Sequence, residues 1–154
     1  MKKLFIVLGL IQFCSASSFA ADFTNSLFTA SVQASTPVTA LSKDAALFGT
    51  WESMPMVFDG GLQMVLSISF AADGVTMANT CSAGGDSVTV SVKGDFDTDG
   101  NTISVTGNDT KSDSKGGVTC NVQIKPAQVT YQLNGGMFLD LTMQGQTLNL
   151  HKKN

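Results

Sequence analysis

The fold of this chain is decided by residues 62 to 70, which read LQMVLSISF. Leucine, methionine, isoleucine and phenylalanine occupy every second position, and glutamine and serine occupy most positions between them. Alternation with a period of two is typical of a strand that buries one face. The dipeptide Asp73-Gly74 follows and predicts a tight hairpin turn.

The same alternation recurs to the carboxyl end of the chain. Glycine-containing turn signals separate the apolar stretches at regular intervals. They stand at 84–85, 99–100, 116–117, 135–136 and 144–145. This pattern predicts an all-β domain, an antiparallel up-and-down barrel of eight or nine strands. One stretch, residues 107 to 117, reads GNDTKSDSKGG and is predicted to be a polar surface loop.

The amino-terminal residues have the composition of an export signal. Lys2 and Lys3 precede an apolar run over residues 4 to 13, and the small residues SASSFA follow. We expect residues 1–20 to be a signal peptide cleaved after Ala20, which predicts a periplasmic or secreted protein. Residues 21–46 are rich in Ser, Thr and Ala and predict a flexible leader that ends in a short helical turn. The barrel domain is expected over residues 47–154, with no membrane span because no second long apolar run exists.

Charge and cysteine content exclude some classes of partner. The chain has no arginine and a net charge of −3, so nucleic acid is a poor candidate because phosphate contacts rely on Lys and Arg. Removal of the signal peptide would leave two cysteines, Cys81 and Cys120. An even pair in an exported protein predicts a disulfide.

The stretch LFGTWE at residues 47–52 resembles the Gly-x-Trp start of lipocalins and of the wider calycin group. The later order of a Gly-Asp-Phe-x-x-Asp-Gly hairpin, a second cysteine and the stretch YQLNG at 131–135 is similar to small bacterial lipocalin-like domains. The resemblance implies that Trp51 packs across the closed end of an eight-stranded barrel, under a cation from the last strand. Lipocalins place an arginine there; here His151, Lys152 and Lys153 are available, and a lysine could stack on the indole.

The resemblance also implies a cup with an apolar lining. We expect the function to be that of an exported, non-catalytic binding protein for a small apolar ligand. A barrel simply filled by the same side chains is the alternative. The predicted cavity residues are Met64, Leu66, Met77, Tyr131 and Met143.

A second hypothesis is copper binding near Trp51. The pattern Trp-x-x-Met-x-Met places Met54 and Met56 two positions apart, and it resembles the copper-binding strand of a periplasmic copper-efflux chaperone. Thioethers select Cu(I). On a continuous strand both methionines would point to the same face.

Calcium is the third ligand that the sequence suggests. Asp95, Asp97, Asp99 and Gly100 match the first half of an EF-hand loop, but Thr106 stands where the bidentate glutamate belongs. The alternative is an acidic hairpin with an Asp-Gly turn.

Neither an enzyme nor a bound cofactor is expected. His151 is the only histidine and Glu52 the only glutamate, so a nucleophile has no obvious base. Phe138 is out of phase with the apolar positions of its strand and is expected on the surface, which suggests a protein-binding module or inhibitor as a further alternative. The oligomeric state stays open.

Overall fold

The computed structural model describes residues 42–154. The predicted signal peptide and residues 21–41 of the predicted leader lie outside the described residues. Eleven strands and two short 3-10 turns, Ala45–Leu47 and Asp59–Gly61, make up the regular structure. The strands are β1 (Gly49–Ser53), β2 (Met56–Val57), β3 (Gln63–Ala71), β4 (Gly74–Ala83), β5 (Asp86–Asp99), β6 (Thr102–Thr106), β7 (Asp109–Lys115), β8 (Val118–Ile124), β9 (Ala127–Asn134), β10 (Phe138–Met143) and β11 (Gln146–Lys152).

Eight of these strands close into an antiparallel barrel, which confirms the predicted fold class. The order around the barrel is β1, β11, β10, β9, β6, β5, β4 and β3, and β3 pairs again with β1. The extra strand β2 continues beside β3 after β1 has ended, with Met56 opposite Met64. Closure leaves no edge along the paired parts of these strands.

The alternation in residues 62–70 reappears as alternate burial along β3. Met64, Leu66, Ile68 and Phe70 are buried, and the residues between them are half-buried. Buried Leu, Val, Ile, Met and Phe side chains from the other barrel strands meet them in one core. The period-two pattern is therefore the direct cause of the inside and outside of the barrel.

The prediction of a loop over residues 107–117 is wrong, because residues Asp109–Lys115 form the strand β7. All seven of its residues are exposed, and it pairs only with β8. A strand with no buried face shows no apolar alternation, which is why the sequence pattern did not reveal it. In contrast, β8 buries every second residue: Val118, Cys120, Val122 and Ile124.

A disulfide joins this hairpin to the barrel. Cys81 of β4 and Cys120 of β8 are bonded, with their Cα atoms 5.6 Å apart, as predicted. The Nδ2 group of Asn79 donates a hydrogen bond to the backbone oxygen of Asn121 (2.6 Å). The hairpin therefore packs against β4 as a second layer without entering the nine-stranded sheet.

Residues 42–46, which the sequence assigns to the leader, pack on one end of the barrel. Ser42 bridges to Thr98, and the carboxylate of Asp44 accepts a hydrogen bond from the backbone N–H of Ala46 at the start of the 3-10 turn. Lys43 forms an ion pair with Asp95 (2.6 Å). The short helical turn expected here is therefore present. Within residues 42–154, no helix has the length and apolar character needed to cross a membrane.

Candidate functional site

Trp51 closes one end of the barrel and is fully buried. Its indole N–H donates to the backbone oxygen of Leu47 (2.7 Å), which the 3-10 turn brings over the strand. The ammonium group of Lys152 lies 5.1 Å from the centre of the indole ring. A lysine thus takes the position over the tryptophan that the resemblance implies for a cation.

The barrel interior is almost filled. An apolar void of about 20 Å³ remains between side chains of β3, β4, β6, β9 and β10, which is room for about one water molecule. Of the predicted cavity residues, Leu66 and Met77 line this void, while Met64 and Met143 are buried elsewhere in the core. Pockets that hold small molecules commonly enclose ~300–1,000 Å³. In the described conformation the barrel interior is therefore filled by its own side chains and has no room for a small molecule of that size.

Tyr131, the fifth predicted cavity residue, supports the closed end instead. Its hydroxyl donates to the carboxylate of Asp44 (2.7 Å) and reaches the backbone oxygen of Gly100 (3.2 Å). Burial, followed by the hydrogen bond to Asp44, raises the pKa of Tyr131 to about 12. The same hydrogen bond lowers the pKa of Asp44. The Tyr131 hydroxyl therefore holds residues 42–47 against the barrel, and the side chain does not line the void in the barrel interior.

The predicted copper residues do not share the strand geometry on which that hypothesis relied. β1 ends at Ser53 and β2 begins at Met56, so the chain leaves the strand at Met54. Met54 is 72% exposed, whereas Trp51 is fully buried. Met56 lies opposite Met64. Copper binding by Met54 and Met56 stays a prediction, and the fully buried indole of Trp51 has no exposed surface with which to cap an ion at the protein surface.

The predicted calcium residues lie on one continuous strand. Asp95, Asp97 and Asp99 all belong to β5, which pairs with β6 through this stretch. Carboxylates two positions apart on an extended strand are ~7 Å apart, too far to share one ion. Among residues 42–154, no group of three His, Cys, Asp or Glu side chains is arranged to hold a metal ion. The acidic hairpin is the arrangement that forms.

A different set of residues comes together on the outside of β9, β10 and β11. The three strands are in register, so each outward residue of β10 has one partner on each side. We call these positions the β9–β11 face. It consists of Asn134, Phe138 and His151 in one row, Gln132, Asp140 and Asn149 in the next, and Thr130, Thr142 and Thr147 in the third.

A hydrogen-bond network fixes the middle of the β9–β11 face. The two carboxylate oxygens of Asp140 accept hydrogen bonds from Nδ2 of Asn149 (2.6 Å) and from Nδ2 of Asn134 (2.9 Å). The Oδ1 atom of Asn134 accepts in turn from Nε2 of Gln132 (3.1 Å). Each oxygen of a carboxylate has two acceptor sites and each amide nitrogen two donors, so the network keeps capacity for a ligand.

A groove lies on one side of Asp140, over the threonine row, and an exposed aromatic ring lies on the other side of Asp140 along β10. This open groove has a volume of about 230 Å³ and is lined by Gln132, Asp140, Tyr131 and the three threonines together with Asn101 from the β5–β6 turn. Phe138, two positions before Asp140 on the same face of β10, is 56% exposed. An apolar ring of this size in a polar surface is informative, because exposure of large apolar groups is often functional.

Sequence reasoning named two residues of this face: Phe138 as a surface contact, and His151 as one of the cations available over Trp51. The exposure of Phe138 was expected from its phase, and the structure bears this out. Asp140 and Thr142 share that phase, which was a usable signal. Their partners on β9 and β11 were missed, because the register between strands places residues 134, 140 and 149 together.

Comparison with family models, with curated proteins and with solved structures returns no match to this chain. The likeness to lipocalins therefore rests on the closed eight-stranded barrel, which is compatible with that fold.

Proposed function

We propose that this protein is an exported, non-catalytic binding protein that takes its ligand on the β9–β11 face. The observation that carries the proposal is the exposed ring of Phe138 beside the braced carboxylate of Asp140. Apolar area and directed hydrogen-bonding groups side by side are the usual composition of a binding site. The strands that carry them belong to a closed barrel, so the site needs little ordering when a ligand arrives.

Export is supported by two independent features. Residues 1–20 have the pattern of a cleaved signal peptide. The disulfide between Cys81 and Cys120 suits an oxidising compartment such as the periplasm or the extracellular medium.

A role without catalysis is supported by the surroundings of Asp140. The groups that hydrogen-bond to its two oxygens are the amides of Asn134 and Asn149, which stay neutral at ordinary pH and do not act as an acid or a base. A carboxylate held in this way positions a ligand hydroxyl or amide. It has no partner in this network to which a proton could pass.

The barrel interior is the second candidate site, for a small apolar ligand. The observation that favours it is a gap in the barrel wall at one end. There β2 pairs with β3, while β11 is paired with β1 only at residues 150–152, so β2 and β11 are not paired with each other. A guest would have to enlarge the void of about 20 Å³ by displacing flexible side chains such as Met77. Native mass spectrometry of the mature protein tests this, since the predicted result is an organic adduct that survives the Phe138→Ala substitution.

The face is tested by retention on the material of the producing cell. The mature, oxidised wild-type protein is incubated with washed cell envelope and with precipitated extracellular polymer, and the bound fraction is measured over a concentration series. We expect Phe138→Ala and Asp140→Asn each to weaken retention about tenfold.

Two matched variants control for loss of exposed apolar area and of surface charge. Val57→Ser removes an exposed apolar side chain on β2, and Asp113→Asn removes an exposed carboxylate on β7. Both should be retained like the wild type. Equal retention of all five proteins would show that the β9–β11 face is not the binding site.

A further inference from the structure

The threonines, amides and carboxylate of the β9–β11 face offer many hydrogen bonds without a strong field of either sign. The hydroxyls of Thr142 and Thr147 are within 2.9 Å of each other, and Thr130 donates to the backbone oxygen of Thr142 (3.2 Å). Each hydroxyl keeps acceptor sites toward solvent. Such a surface suits a ligand that itself carries many hydroxyl groups, because each hydroxyl is both a donor and an acceptor.

Asp140 adds a directional contact for hydroxyl groups. A carboxylate accepts hydrogen bonds only, and an O–H donated to it is shorter and stronger than one between neutral groups. Two oxygens on one carboxylate can accept from two neighbouring hydroxyls of one ligand. The hydrogen bonds donated by the side-chain amides of Asn134 and Asn149 fix the orientation of the carboxylate before the ligand arrives.

The exposed ring of Phe138 supplies the apolar contact that such a ligand also needs. A sugar ring carries hydroxyls at its rim and C–H groups on its faces. The face of an aromatic ring is electron-rich and attracts weakly positive C–H groups. Phe138 stands ~7 Å from Asp140 along β10, and the whole face spans about 10 by 13 Å. These distances allow one sugar residue to stack on the ring while its neighbour reaches the carboxylate.

The charges around the face select among sugars. Asp140 is the only carboxylate of the face and His151, opposite Phe138, its only imidazole, while Lys153, two positions after His151, is paired with Glu52 (2.7 Å). An acidic polymer would bring its own carboxylates against Asp140 and would be repelled. A neutral chain loses nothing to this charge and gains a hydrogen-bond acceptor from it.

We propose that the ligand of the β9–β11 face is a neutral carbohydrate, held by stacking on Phe138 and by hydrogen bonds to Asp140 and its amide neighbours. This inference rests on the proposed function and names the ligand class. It assigns the groove to a sugar chain in preference to a protein partner, because the row of threonines and amides presents hydrogen-bonding groups where a protein interface core is usually apolar or aromatic.

A glycan array carrying neutral and acidic oligosaccharides tests the assignment directly. Affinity electrophoresis follows, in gels that contain polysaccharides built from the sugars bound on the array. The oxidised mature protein should bind neutral glycans and should be retarded by a neutral polysaccharide, with alginate as the acidic comparison showing no retardation. Phe138→Ala and Asp140→Asn should each weaken binding about tenfold. Val57→Ser and Asp113→Asn should bind like the wild type, and far-ultraviolet circular dichroism checks that every variant is folded.

The outcomes separate the ligand class from the site. Binding to neutral glycans that both face variants lose supports the proposal. Binding only to acidic glycans, binding that both variants keep, or no glycan binding at all overturns it. If no glycan binds but retention on cell material still depends on Phe138 and Asp140, the site stands and its ligand is of another class, such as a protein.

Discussion

The disulfide between Cys81 and Cys120 should contribute a large part of the stability of this domain, and the Cys81→Ala/Cys120→Ala double variant measures it. The two residues are 39 positions apart. Cross-linking a loop of this length lowers the entropy of the unfolded chain enough to stabilise the fold by about 4 kcal/mol. Both side chains are buried, so removing the sulfur atoms costs a further ~1 kcal/mol each in lost packing. The expected loss is about 4–6 kcal/mol, against a typical domain stability of ~5–15 kcal/mol.

The structure also predicts where the loss should appear first. The β7–β8 hairpin has no strand pairing with the barrel, and apart from the main chain at its two ends the disulfide to Cys81 is its covalent link to the barrel. Amide hydrogen exchange should therefore speed up in β8 far more than in β10. Urea unfolding measures the global loss of stability, and the midpoint should fall by about 2–3 M if the slope is about 2 kcal/mol per M. A loss below about 1 kcal/mol with β8 still protected would refute the reasoning, since packing alone would then hold the hairpin.

Three smaller predictions follow from single contacts. Gly94→Ala should destabilise the fold by about 1–3 kcal/mol in urea unfolding, because a Cβ there would lie 2.5 Å from a backbone oxygen of β6 and 2.6 Å from a methyl group on β8. The pKa of Tyr131 is raised to about 12 in the folded state, so the wild type should lose stability as the pH rises from about 10 to about 12. Tyr131→Phe should lack that loss. It should also lose part of the stability that ionised Asp44, whose folded pKa is lowered, contributes above about pH 4 and loses in acid. Urea midpoints at pH 3, 7, 9 and 11 measure both effects. Lys152→Ala should cost about 1 kcal/mol and change the emission of the single tryptophan, whereas Lys153→Ala, which breaks an exposed ion pair, should cost less than about 1 kcal/mol and leave the emission unchanged.

How much of the fold the sequence could reveal depends on which strands bury one face. β3 buries alternate residues and was visible from LQMVLSISF alone. β7 is held by backbone pairing to β8 and buries none of its side chains, so DTKSDSK has the composition of a loop. The break between Ser53 and Met56 did have a sequence signal: Met54 is out of phase with Trp51 and Ser53, and Pro55 follows it, which disfavours a continuous strand.

The site was harder to predict than the fold. Each of its rows combines residues from three strands, and a shift of one position in either pairing would replace Asn149 or Gln132 beside Asp140 by an inward-facing residue. Sequence alternation shows that a residue faces outward without showing its neighbours. The predicted cavity residues present a different case. Four of them, Met64, Leu66, Met77 and Met143, are buried as the alternation predicts. Composition, however, does not determine whether an eight-stranded barrel is filled or hollow.

The filled interior and the outer face are mechanically connected, which bears on both candidate sites. Leu139 and Leu141 stand on either side of Asp140 in β10, and both are buried in the barrel core. A guest that enlarged the void toward β10 would push against Leu141, which lines it, and would thereby displace the neighbouring carboxylate. Ligands of the two sites would then oppose each other by reciprocal amounts. An apolar adduct that leaves glycan affinity unchanged would show instead that the guest lies away from β10, at the end where β2 and β11 part.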